Sequence, residues 1–109
     1  EAVLYAQGGK YALGYSEYET SAQLYFIAEK LAYPLLEKRD YFISGLKSLQ
    51  SGNLLDEAMK ASEQHIDGLS NDRDTLLFLA KLALASNHVS LAQQQMKKIL
   101  RMNIEVGVP

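Results

Sequence analysis

Ser44 and Lys47, in the run SGLK, have the three-residue spacing of a serine nucleophile and the lysine that would take its proton. On a helix such residues can meet, but the tetrapeptide is too common to carry an assignment and reads as helix surface. His65, two places before Asp67, and the isolated His88 offer the elements of a base and its orienter. A spacing of two points side chains to different sides of a helix, and no further His, Cys or acidic cluster completes a metal site. His65 therefore reads as a polar residue covering a helix end. Gly8 and Gly9 follow no strand, so they do not read as a phosphate cradle. Tyr5, Tyr11, Tyr15, Tyr18, Tyr25, Tyr33 and Tyr41 crowd the first two fifths of the chain. Their faces suit sugar rings, with Glu17 and Glu19 nearby to attract a cationic polymer. Packing is the stronger reading, because Tyr5, Tyr25 and Tyr41 sit at packing registers and tyrosine fills half-buried sites. No catalytic residue, cofactor or metal is expected.

The elements that must position these residues are almost all helical. From Arg39 to Gln50, Tyr41, Phe42, Gly45, Leu46 and Leu49 recur at three- and four-residue steps and form one apolar stripe. Gly52 supplies a left-handed stop, and Asn53 tolerates the turn. The next stripe holds Leu55, Ala58, Met59, Ser62 and Ile66, closed by Asp67 and Gly68. After SNDRD, which is turn and N-cap chemistry, Thr75 to Ala85 is apolar and ends at SNH, where Asn87 takes the role given to Gly52. A last helix runs from about Ser90 to Met102 with Leu91, Ala92, Met96, Ile99 and Leu100 inward. Only NIEVGVP looks extended.

Composition agrees with a helical, non-nucleic-acid reading. The 109 residues carry a formal net charge of −2 with 22% charged side chains, so the basic excess that phosphate backbones reward is missing. With no cysteine, disulfides and thiolate metal sites are excluded while the redox compartment stays open. The chain opens on Glu1 rather than Met, which reads as one stretch of a longer array.

Self-comparison explains the helix stops. An offset of 36 lays Tyr5 on Tyr41, Gly9 on Gly45, Leu13 on Leu49 and Ala22 on Ala58. An offset of 35 lays Tyr41 on Leu76, Gly45 on Ala80, Leu49 on Leu84 and Gly52 on Asn87; one residue lost in the turn then brings Ala58 onto Ala92. A helix-turn-helix unit of about 34 residues is the period of tetratricopeptide arrays. The chain resembles that family over essentially its whole length, with Tyr41, Gly45, Ala58, Ala80, Ala92, Ala22, Phe26 and Pro34 at the repeat-packing positions. Ser62, where an aromatic is expected, and His65, near an expected small residue, depart from the pattern. The resemblance implies an all-α fold, an α/α superhelical solenoid, with repeats over 1–34, 35–70 and 71–104 and an extended tail over 105–109.

Within the family, LYF, RDYF, GLKSLQSGN and TLLFLAKLALA are most similar to the periplasmic repeat region of Pel-type exopolysaccharide export proteins. That likeness implies a non-catalytic scaffold in the periplasm, part of an outer-membrane protein, that recruits a polysaccharide deacetylase or hydrolase and guides polymer to the pore. Its partners would be that enzyme, the exopolysaccharide and neighbouring repeats, with self-association of the chain as a further expectation. The alternative is a cytoplasmic or regulatory adaptor that binds a peptide motif. In such arrays the first helix of each hairpin lines a partner-binding groove, which here would present Arg39, Phe42, Ile43, Leu46 and Gln50, then Asp74, Leu77, Phe78 and Lys81. This groove carries Phe42, Ile43 and Leu46 where arrays that clamp a terminal carboxylate carry Lys, Asn and Arg.

Overall fold

The computed structural model describes residues 1–105, with side chains to Met102. Six α-helices follow one another: α1 Ala2–Gly14, α2 Tyr18–Leu31, α3 Leu35–Ser51, α4 Leu55–His65, α5 Arg73–Ala85 and α6 Val89–Glu105. The described part of the fold is all-α. Helices α1 to α4 belong to one compact unit, Glu1–Leu69, and a second unit begins at Ser70 with α5 and α6. Among the described residues, no helix is long and apolar enough to cross a membrane.

The same turn closes each helix pair. Tyr15, Gly52 and Ser86 end α1, α3 and α5 near φ −100°, −89° and −94°. The next residues, Ser16, Asn53 and Asn87, take left-handed φ values of 60°, 57° and 63°. The residue after each donates its N–H back to the helix, Glu17 to Ala12 O at 2.9 Å, Leu54 to Leu49 O at 2.9 Å and His88 to Ala83 O at 2.7 Å. Such a bond satisfies a carbonyl that the helix end would otherwise orphan. The three turns stand 37 and 34 residues apart.

This register corrects two expectations. Asn53, not Gly52, carries the left-handed conformation, as an asparagine can at modest cost. Gly52 is needed for a different reason, since a Cβ there would stand 2.6 Å from the Tyr18 ring. Five residues past the left-handed position stand Ser21, Ala58 and Ala92, all buried. Ser21 rather than Ala22 is thus the counterpart of Ala58, and Ala22 is buried beside it.

In the first unit, α2 packs on both α1 and α3, while α4 lies against α3. Its core is built from Phe26 and Ala28 of α2, Phe42, Leu46 and Leu49 of α3 at steps of four and three, Ala58 of α4, and Leu69 from the turn that follows α4. Helices α2 and α3 approach closely because rings sit over glycines. A Cβ on Gly45 would overlap the Phe26 ring as one on Gly52 would overlap Tyr18, and Gly9 takes the ring of Tyr25 in the same way. The closeness lets two buried hydroxyls meet. Ser21 Oγ lies 2.9 Å from Ser48 Oγ and 2.7 Å from Gly9 O, while Ser48 Oγ lies 2.9 Å from Ser44 O. Gly68, at φ +82°, supplies the left-handed turn that follows α4.

In the second unit, Asp72 caps α5, accepting from Thr75 N at 3.0 Å and from the Thr75 hydroxyl at 2.7 Å. Leu76, Leu79, Ala80, Leu82 and Ala83 of α5 are buried, as are Ala92 and Ile99 of α6. Met96 and Leu100, expected inward, are 42% and 62% exposed because the α6 face turned to α5 is centred on Ala92 and Ile99. The expected extended tail also changes, since α6 continues through Asn103 and Ile104 to Glu105; residues 106–109 lie outside the described part.

Gly45→Ala is expected to lower stability by about 1–3 kcal/mol, because the Phe26 ring must move off its rotamer or the helices must part. Gly14→Ala is expected to raise it by about 0.5–1 kcal/mol, since nothing lies within 4 Å of the added Cβ. Urea midpoints of the two variants check both, and an unchanged midpoint for Gly45→Ala would refute the close approach.

Candidate functional site

The expected groove divides when its residues are located. Phe42 and Leu46 are wholly buried, which removes them from any open groove. The apolar stripe of α3 is the face it turns to its neighbours, and these two residues lie at its centre. Arg39, Ile43 and Gln50 are half-buried. On α5, Asp74, Leu77 and Lys81 are exposed along one side and Phe78 is half-buried. The repeat-packing residues Gly45, Ala58, Ala80, Ala92, Ala22 and Phe26 are buried, with Tyr41 half-buried. Pro34 departs from that set. It is exposed and stands as the N-cap of α3, a place where its missing N–H costs nothing.

The tyrosines also divide. Tyr18, Tyr25 and Tyr41 are half-buried, whereas Tyr11, Tyr15 and Tyr33 are 73%, 75% and 91% exposed, so packing does not account for those three. Burial, helped by the nearby Tyr41, raises the Tyr25 phenol above its usual value of 10.0. Tyr11 and Tyr15 stand one turn apart with rings 6.2 Å between centroids and 12° from parallel. With Gln7, Lys10 and Gly14 they line an open depression of about 510 Å³.

The chemically richest cluster is one that sequence reasoning missed. Glu29 of α2 is only 2% exposed, and its carboxylate Oε2 accepts from Lys38 Nζ of α3. Lys38 also donates to the backbone carbonyl of Glu29 at 3.2 Å. From the end of α4, the His65 ring stacks on Phe26, 4.3 Å between centroids and 12° from parallel. Its Nδ1 is buried without a hydrogen-bond partner, 3.5 Å from Glu29 Oε1. His65 thus joins a charge cluster linking three helices rather than merely covering a helix end. The signal was present in the sequence: Glu29 follows Ala22 and Phe26 at steps of four and three, placing a carboxylate on an apolar face that must supply it a cation.

The arrangement ties α2, α3 and α4 together around one buried carboxylate. Lys38 neutralises the carboxylate, and His65 Nδ1 faces its other oxygen. Ser44 is half-buried and Lys47 exposed, and His88 is exposed at the start of α6. Among the described residues, no group of three His, Cys, Asp or Glu side chains gathers to hold a metal. No protein-family model matches the chain, and neither does any curated protein or solved structure.

Burial lowers the His65 imidazole below its usual 6.5; Glu29 opposes the shift, and Lys30 and Lys38 add to it. The unfolded chain therefore takes the proton more readily than the folded one. The stability this represents is complete above the unfolded value and is lost as pH falls through it toward the lower folded value. The melting midpoint is expected to drop between about pH 7.5 and about pH 5.5, and His65→Gln is expected to flatten that drop. Parallel curves for the two proteins would contradict the assignment.

Proposed function

We propose that this chain is a non-catalytic scaffold segment of the tetratricopeptide kind, from the periplasmic part of a Pel-type exopolysaccharide export protein. The observation that carries the repeat reading is the turn that recurs at Ser16, Asn53 and Asn87 with the same backbone and the same back-bonded N–H. Three helix pairs with one closing device suit a superhelical array in which each pair buries its face on the next. Export by a scaffold rests further on the sequence resemblance in LYF, RDYF, GLKSLQSGN and TLLFLAKLALA.

In this reading the scaffold presents a surface to a polysaccharide-modifying enzyme. With Phe42 and Leu46 committed to the core, the contact falls to the α5 side chains Asp74, Leu77 and Lys81, which stand at i, i+3 and i+7 on one exposed face. A face of mixed charge that also carries the exposed Leu77 and Leu84 suits a protein surface better than a small molecule.

The test is capture of a polysaccharide deacetylase or hydrolase from periplasmic extract on the immobilised chain, compared with a Leu77→Ala, Lys81→Ala variant. The proposal expects the enzyme on the native chain and at least about tenfold less on the variant, a loss of ~1.4 kcal/mol. Capture of no such enzyme by either would overturn the export reading, and equal capture would remove α5 as its site.

A further inference from the structure

The buried nitrogen of His65 is the one polar atom of the Glu29 cluster whose bonding the packing leaves open. A neutral imidazole has one N–H donor and one bare nitrogen, and which is which follows from what each nitrogen meets. His65 Nδ1 is buried and has no hydrogen-bond partner, with Glu29 Oε1 standing 3.5 Å away. That carboxylate is only 2% exposed, and its other oxygen, Oε2, accepts from Lys38 Nζ. The stack on Phe26, 4.3 Å between centroids and 12° from parallel, holds the ring plane in place, so Nδ1 cannot tilt out to meet water.

An ionised carboxylate can only accept. A bare Nδ1 would turn its lone pair toward an anionic oxygen and receive a proton from neither protein nor solvent, which leaves a buried acceptor unsatisfied. A protonated Nδ1 instead places a positive hydrogen beside that oxygen. At 3.5 Å the contact is longer than a closed hydrogen bond. In a buried setting the sign of the interaction nonetheless decides between two forms of nearly equal energy.

We infer that neutral His65 carries its proton on Nδ1, so that the two oxygens of one buried carboxylate are divided between a donor from α3 and a donor from α4. Nε2 keeps the lone pair and is where acid adds the next proton. Acidification therefore brings Glu29 no new donor. It does put a positive charge on a ring that faces Phe26, Glu29 and Lys30 of α2 and Lys38 of α3. Burial and the two lysines oppose that charge while Glu29 favours it, in keeping with a titration below the usual 6.5. The assignment rests on the geometry of the cluster and holds whether or not the export reading does.

Nitrogen NMR reads the tautomer directly. The chain has two histidines, and His88 is exposed, so a His88→Gln variant leaves His65 as the sole imidazole. At about pH 8.5, some two units above the usual histidine value, long-range correlations from the ring protons are expected to place Nδ1 in the protonated range and Nε2 in the unprotonated range. On acidification the Nε2 resonance is expected to move into the protonated range while Nδ1 stays where it is. The reverse pattern at high pH, which free histidine favours in water, would overturn the inference, as would an equal mixture of the two. A second variant tests the cause. Glu29→Leu with Lys38→Met removes both charges together, a replacement that buried ion pairs often tolerate. With helical circular dichroism retained, His65 is expected to return to the Nε2–H form. Persistence of Nδ1–H there would take the tautomer out of Glu29's control and overturn the inference. The first measurement stands whether or not this variant folds.

Discussion

The seating of α2 rings over α3 glycines is the constraint from which the first unit follows. Phe26 over Gly45 and Tyr18 over Gly52 draw the two helices closer than ordinary side chains permit. Only at that distance do Ser21 and Ser48 reach one another across the interface. The three short contacts of this pair share two hydroxyl protons, so one contact at a time goes without. The carbonyls of Gly9 and Ser44 lie inside helices whose backbone bonds already serve them, which makes the shortfall cheap.

The same approach brings Lys38 to Glu29. A carboxylate that is nearly wholly buried cannot be left unpaired, and breaking such a pair costs more than the pair contributes when intact. Its role is therefore one of choice. A neighbouring helix that offered no cation at that height would leave the carboxylate unpaired, so the pair disfavours other alignments of α3 on α2. His65 adds α4 to the arrangement through the face of Phe26, so the ring that fills the glycine notch on one side is covered by an imidazole on the other.

Much of this was legible in residue spacing. Helical periodicity set out α3 to α6, the repeat offset supplied the first hairpin, and the small residues Gly45, Ala58, Ala80 and Ala92 marked buried positions because close packing leaves few alternatives there. What spacing did not reveal was which neighbour each stripe meets. Phe42 and Leu46 belong to an apolar stripe whether it lines a groove or fills a core, and only the packed α3 distinguishes the two. The one-residue slip between Ala22 and Ser21 arose because both are small and buried, so the offset of 36 matched side-chain size while the turn backbone requires 37. The Glu29 cluster was hidden because its members come from three helices, and sequence separation conceals what a crossing brings together.

The Phe26 ring and Gly45 act as one energetic unit, and a double-mutant cycle tests this. Phe26→Leu, Gly45→Ala and their combination are compared by urea unfolding. The smaller leucine makes room for the alanine, so the double variant is expected to be less destabilised than the two single losses added, with a coupling of at least about 1 kcal/mol. Losses that add to within about 0.5 kcal/mol would contradict the claim that the closeness of α2 and α3 depends on this contact.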